Sequence, residues 1–224
     1  MQRTNDRDWR GAIASFRRAL AAAPENVTIM GDAAICWLNV GFTDEALALS
    51  ARAVERDPLN ARAQWARGAI LLWSGQPALA VEAYRRAVTL APMGDEYHSH
   101  LARALSAVGR YPEALQEAGR EPNERFRLVA LATVQYQSGD RTGGDRTFNE
   151  IVEKFGDPMA GYLANLCAIV GKTDEAFRWW ERGYDTRDAA MAWVKTNRGY
   201  GAVRADPRWE PFLRKMGLAD DQLK

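Results

Sequence analysis

The chain has 224 residues, 47% of them hydrophobic and 26% charged, with a formal net charge of +1. That balance suits a folded protein with a sizeable core and gives no reason to expect nucleic acid or an anionic membrane as the main partner. Two cysteines, Cys36 and Cys167, make no disulfide framework, and no uncharged stretch, residues 158–171 being among the longest, reaches the ~18 residues that a membrane span needs.

Along the chain the first predicted element is "RDWRGAIASFRRALAAAP" (7–24), a helix with Trp9, Ile13, Phe16 and Leu20 along one side. Arg17 and Arg18 interrupt this only apolar region near the N-terminus, so no signal peptide is read and a cytoplasmic protein is expected. The segments that follow repeat one another. "GFTDEALALSARAVERDP" (41–58), "GQPALAVEAYRRAVTLAP" (75–92) and "GKTDEAFRWWERGYDTRD" (171–188) are copies of one pattern, and "GRYPEALQEAG" and "GDRTGGDRTFNEIVEKFG" are looser copies. Pro24, Pro58 and Pro92 stand 34 residues apart, as do Gly41, Gly75 and Gly109; Gly139 and Gly171 follow at steps of 30 and 32.

Each copy reads as the second of two helices. Thr43 and Thr173 stand where a cap belongs, followed by Asp-Glu where the helix dipole favours negative charge. Pro77 and Pro112 fit a first turn. Small residues at Gly68, Ala102, Ala132 and Ala164 allow the two helices of a pair to approach closely. No run alternates with period two for long enough to form a strand, so the expected class is all-α.

The pattern resembles the tetratricopeptide repeat (TPR) family on Trp37, Gly41, Ala46, Ala53 and Pro58, and on Gly68, Gly75, Ala80, Tyr84, Ala87 and Pro92. The resemblance implies a right-handed solenoid of antiparallel helix pairs. Five repeats are expected, over 27–60, 61–94, 95–124, 125–156 and 157–188. Residues 1–26 then form half a repeat with only its second helix, whose apolar face needs cover from a partner, a missing helix or a second copy in a homodimer. Residues 189–224 are expected to cap the stack. There Asp206 and Pro207 open a helix, Trp209, Phe212, Leu213 and Met216 form its apolar stripe, and Gly217 ends it. Residues 187–197 are expected to form a preceding helix that contributes Met191 and Val194. The tail, "VRADPRWEPFLRKMGL" above all, is similar to the close of TPR arrays in bacterial regulators that carry a winged-helix or nucleotide-cyclase domain; it departs from them at "TNRGYG". This implies an alternative role as the C-terminal regulatory or sensory module of such a protein.

Catalytic chemistry finds little support. His98 and His100, two apart on a helix, point in nearly opposite directions and cannot share a metal; His98 falls at a packing position. "GKT" at 171–173 lacks the glycine of a phosphate loop, since Leu166 stands in its place. Cys36 and Cys167 lie four repeats apart, too far along a stack to pair. A non-enzymatic protein is expected, with no cofactor, no metal, no nucleic acid and no membrane among its partners. The TPR resemblance assigns the inner groove to Asn39, Arg62, Trp65, Trp73, His100, Arg103, Phe126, Tyr136, Tyr162 and Asn165. These imply a protein or peptide ligand, extended and partly apolar, with an acidic group near Arg62 or Arg103.

Overall fold

The computed structural model describes residues 7–196 and 200–223. The first six residues of the expected half repeat, residues 197–199 of the expected link and Lys224 lie outside them. Helix α1 (Trp9–Ala22) is followed by the pairs α2 (Val27–Val40) and α3 (Thr43–Arg56), α4 (Ala61–Trp73) and α5 (Pro77–Leu90), and α6 (Tyr97–Ala107) and α7 (Tyr111–Arg120). Two more pairs follow: α8 (Glu124–Ser138) with α9 (Arg141–Lys154), and α10 (Ala160–Ile169) with α11 (Thr173–Asp185). A 3-10 helix (Ala189–Trp193) and the short helices α12 (Gly201–Arg204), α13 (Trp209–Lys215) and α14 (Asp220–Leu223) close the chain. No strand occurs among the described residues, and the architecture is an α-solenoid.

Local chemistry explains the helix pairs. Asn26 and Asn60 cap α2 and α4, their Oδ1 atoms accepting from Ile29 and Ala63 N–H at 3.0 Å. The recurring glycine follows the first helix of a pair within two residues; Gly41 and Gly139, directly after theirs, have φ +94° and +91°, a left-handed conformation that a Cβ would oppose. Phe42 N–H then bonds back to Trp37 C=O at 2.8 Å, turning the chain into the next helix. First helices such as α2 are buried around most of their circumference, whereas second helices such as α3 bury one stripe. The first helices therefore form an inner layer and the second helices an outer one.

Three sequence expectations change. Thr43 and Thr173 are the first residues of α3 and α11 and cap neither, because Phe42 and Lys172 occupy the cap positions and no side-chain cap bond forms. Asp206 does not cap α13 directly; its Oδ1 accepts from Arg208 N–H at 2.9 Å in a turn, and the helix begins at Trp209. The expected helix over 187–197 is shortened to the 3-10 helix at 189–193, although Met191 and Val194 are buried as expected.

The largest correction concerns the N-terminal half repeat. Its apolar face is covered by the C-terminal cap of the same chain. Trp9 is 2% exposed, and its indole N–H donates to Met216 C=O at 2.8 Å. Arg10 donates to Gln222 C=O at 2.7 Å, and Arg7 to Tyr184 C=O. Trp9, Ile13 and residues of α2 share one apolar cluster with Trp180, Trp209, Phe212 and Met216. The solenoid curls until its ends meet, so the open face on which the homodimer expectation rested is already filled. The same curl places Cys36 and Cys167, both buried and free, in one cluster rather than at distant points of a stack.

Candidate functional site

Closure of the ends turns the expected open groove into a pocket of about 340 Å³. Its wall draws on Phe16 of α1, Asp32, Ile35, Cys36 and Asn39 of α2, and Arg62, Trp65 and Trp73 of α4. Asp95, Glu96, Tyr97, His100 and Arg103 come from the start and inner face of α6, and Tyr162 and Asn165 from α10. Ala189, Ala190, Ala192 and Trp193 of the cap supply the remaining side. Eight of the ten residues assigned to the groove therefore meet around one cavity. Trp193 and its neighbours were missed, because nothing local in the tail signals that it crosses to the opposite end of the array.

The other two assigned residues stand elsewhere. Tyr136 packs against Gly144 inside its own helix pair, where a Cβ on Gly144 would approach the ring to 2.4 Å, and its hydroxyl donates to Asp145 at 2.9 Å. Gly144 in place of the usual alanine is the sequence signal for that inward turn. Phe126 sits edge-on behind Tyr162, with ring centroids 5.8 Å apart, and backs the wall without lining it.

Polar groups in the wall are partly committed to one another. Arg62 pairs with Asp32 at 2.6 Å. His100 is buried; its Nε2 lies 3.3 Å from Glu96 Oε2 and its Nδ1 3.3 Å from Tyr84 Oη. An ionised carboxylate only accepts, so Nε2–H donates to Glu96 and Nδ1 accepts from Tyr84. Tyr162 also donates to Glu96, at 3.4 Å. Burial holds His100 below its ordinary pKa, the contact with Glu96 opposing it only in part, so the ring is neutral at pH 7. Burial opposes ionisation of Glu96, but the bond from His100, with Arg103 and Tyr162, outweighs it and keeps the carboxyl below its usual range.

Glu96 also has a left-handed backbone, φ +68°, a conformation that costs a non-glycine residue about 1 kcal/mol or more. Glu121 holds it there: this buried side chain accepts from the N–H groups of Glu96 at 3.3 Å, Ser99 at 3.1 Å and Asn123 at 3.2 Å. His98 is a second pin, its ring nitrogens 2.7 Å from Glu117 Oε2 and 3.1 Å from Pro92 C=O. Asn165 accepts from Tyr200 of the cap, so the pocket is tied directly to the closure.

Four buried side-chain nitrogen or oxygen atoms lack a partner among the described residues; three of them, Asn39 Oδ1, Trp65 Nε1 and Trp73 Nε1, belong to residues that line this pocket but are themselves closed to water, and the fourth, Trp180 Nε1, lies in the cluster between α11 and the cap. Arg103 stacks over Trp73 at 4.8 Å and makes no hydrogen bond or ion pair among the described residues. Among those residues no group of three or more His, Cys, Asp or Glu is placed to hold a metal ion, and no helix is long and apolar enough to cross a membrane.

A curled stack of helix pairs with aromatic and charged side chains converging on its concave side is the architecture of a helical-repeat interaction scaffold. Models of the tetratricopeptide repeat match residues 5–70 and 74–122, together just over half of the chain, and the protein belongs to the tetratricopeptide-repeat family. No curated protein matches it in sequence. Solved structures share the fold at low identity. PilW, a type IV pilus biogenesis factor, is 17% identical with a TM-score of 0.62, over 91% of this chain and 94% of that one. A tetratricopeptide repeat protein from Parabacteroides merdae is 15% identical with a TM-score of 0.56, over 99% and 89%. MamA is 19% identical with a TM-score of 0.54, over 68% and 92%.

Proposed function

We propose that this protein is a non-enzymatic interaction scaffold that takes a short segment of a partner protein into its concave pocket. The supporting observation is the convergence of eight side chains, from the first helices of four of the five pairs, on one cavity. Trp, Tyr and Arg, which dominate the energy of protein interfaces, make up much of that set. Because the cap fills part of the concave side, a short or terminal stretch suits the pocket better than a long extended strand. Selection of phage-displayed random peptides on the full chain tests this reading. Enrichment of peptides that the Trp65→Ala, Arg103→Ala double variant no longer retains, with its helicity unchanged, is the expected outcome. Equal retention by the variant would rule out the pocket.

A second reading, a regulatory module within a larger bacterial regulator, draws on the wall contributed by residues 189–193. An occupant that displaced them would also displace the cap and could signal to an output domain. A native protein of only 25.0 kDa in an immunoblot of source-cell lysate would remove this alternative.

A further inference from the structure

The pocket straddles the seam at which the curl closes. Phe16, Ile35 and Cys36 of α1 and α2 stand on one side of it, and Asn165 of α10 with Ala192 and Trp193 of the cap on the other. The cap itself belongs to the C-terminal side. Its rings pack on Trp180 of α11, with centroids at 5.3 Å for Tyr200, 5.7 Å for Trp209 and 5.8 Å for Phe212. Arg208 pairs with Asp174 of α11 at 2.7 Å, and Lys215 with Glu181. Asp188, just before the 3-10 helix, accepts from Gly161 N–H of α10 at 2.7 Å.

Across the seam the polar ties are of another kind. Arg7, Trp9 and Arg10 donate to the carbonyls of Tyr184, Met216 and Gln222, and Lys195 Nζ of the cap donates to Val40 C=O, at the end of α2, at 3.5 Å. Each is a side chain on a backbone carbonyl, and among the described residues no backbone–backbone bond crosses the seam. Water replaces such bonds without loss of secondary structure, whereas the bonds within a helix cannot be exchanged in that way. Lys195 keeps partners on its own side, Leu218 C=O at 2.9 Å and Asp220 at 2.7 Å, so its charge stays paired when the seam parts. Parting needs only a small change in the rotation between each pair and the next.

We propose that this seam is a clasp: it opens as a unit while the helix pairs on either side stay folded, and opening it uncovers the pocket. Resting on the reading that the pocket holds a protein segment, an occupant that touches both sides holds the clasp shut, and its departure frees the Trp9 and Met216 faces together.

Native reporters in the full chain test this. Trp9 does not line the pocket, and its indole N–H exchanges with solvent once its bond to Met216 C=O is broken. Cys36, 2% exposed, lines the pocket, whereas Cys167, 1% exposed, has its Sγ 3.9 Å from Glu175 within its own helix pair. Under native conditions the Trp9 indole is expected to exchange, and Cys36 to react with iodoacetamide, about tenfold or more faster than global unfolding allows, while Cys167 follows global unfolding. Lys195→Met, which lies outside the pocket, should speed the first two several-fold and leave Cys167 at the rate set by global stability; circular dichroism and urea unfolding check the fold and supply that stability. Rates equal to global unfolding at Trp9 and Cys36 overturn the clasp, as does faster Trp9 exchange in the variant without faster reaction at Cys36. A pocket-dependent peptide from the phage selection should slow Trp9 exchange in proportion to its concentration over its Kd. A bound peptide that leaves that exchange unchanged overturns the clasp and leaves the protein-segment reading intact. Failure to select any such peptide sinks that reading instead, and the ligand-free rates then decide the clasp alone.

Discussion

His100 shows how a single residue links the fold to the pocket. It is enclosed by Tyr84, stacked at 5.5 Å, and by Trp65, edge-on at 5.3 Å, with its two nitrogens committed to Tyr84 and Glu96. Its folded pKa lies below the unfolded value of about 6.5, so below that pH the unfolded chain binds more protons than the folded one. Stability therefore falls as the pH drops through about 6.5 and stops falling on this account once the folded pKa is passed. Glu96, held below its ordinary range, contributes stability that is lost at still lower pH. Urea midpoints should be lower at about pH 5.5 than at about pH 7.5, and His100→Gln should shrink that difference. A difference of the same size in the variant would assign the slope to other groups.

At the scale of elements, most of what forms a helix pair is local, and the same locality exposes where sequence reading erred. Asn60 and Thr43 both precede acceptable helices in the sequence, yet only Asn60 lies outside its helix with an oxygen on a free N–H. Thr43 is one residue too late, because the left-handed Gly41 hands the chain over at Phe42. Asn60→Ala should cost about 1 kcal/mol of stability, and Thr43→Ala no more than a few tenths, in equilibrium urea unfolding. The groove assignment failed in the same instructive way at Tyr136. Its position in α8 matched that of residues facing the cavity, but the missing Cβ at Gly144 opened a slot for the ring within the pair. A side chain follows the space available to it, and repeat position gives only the direction of its Cα–Cβ bond.

For the whole molecule, the contact between its ends is the decisive feature. In a linear solenoid each repeat touches only its neighbours, and the ends open first. Here Trp9 lies in one cluster with Trp180, Trp209, Phe212 and Met216, so α1 and the cap stabilise each other across 207 residues of sequence. Trp9→Ala should remove about 3–5 kcal/mol locally. Faster amide hydrogen exchange in α13, although the substitution lies at the other end of the chain, is the expected signature of that coupling. Unchanged exchange there would mean that the cap is held by α11 alone. The closure also makes the pocket a pocket, since without residues 189–193 the inner face of α2, α4, α6 and α10 would be an open groove.

The sequence by itself determined the repeat, the all-helical class and the positions of the glycine turns, and its resemblance to the repeat family named ten inner-face residues, eight of which line the cavity. All of these follow from contacts within a helix pair or between adjacent pairs, which a period of 34 residues writes out explicitly. Only the tertiary structure decided that the two ends of the array meet, that the tail covers Trp9, and that Trp193 reaches the pocket. The reason is accumulation: each pair adds a small rotation to the last, and the place where two distant ends meet depends on the sum of those rotations, which no single motif contains.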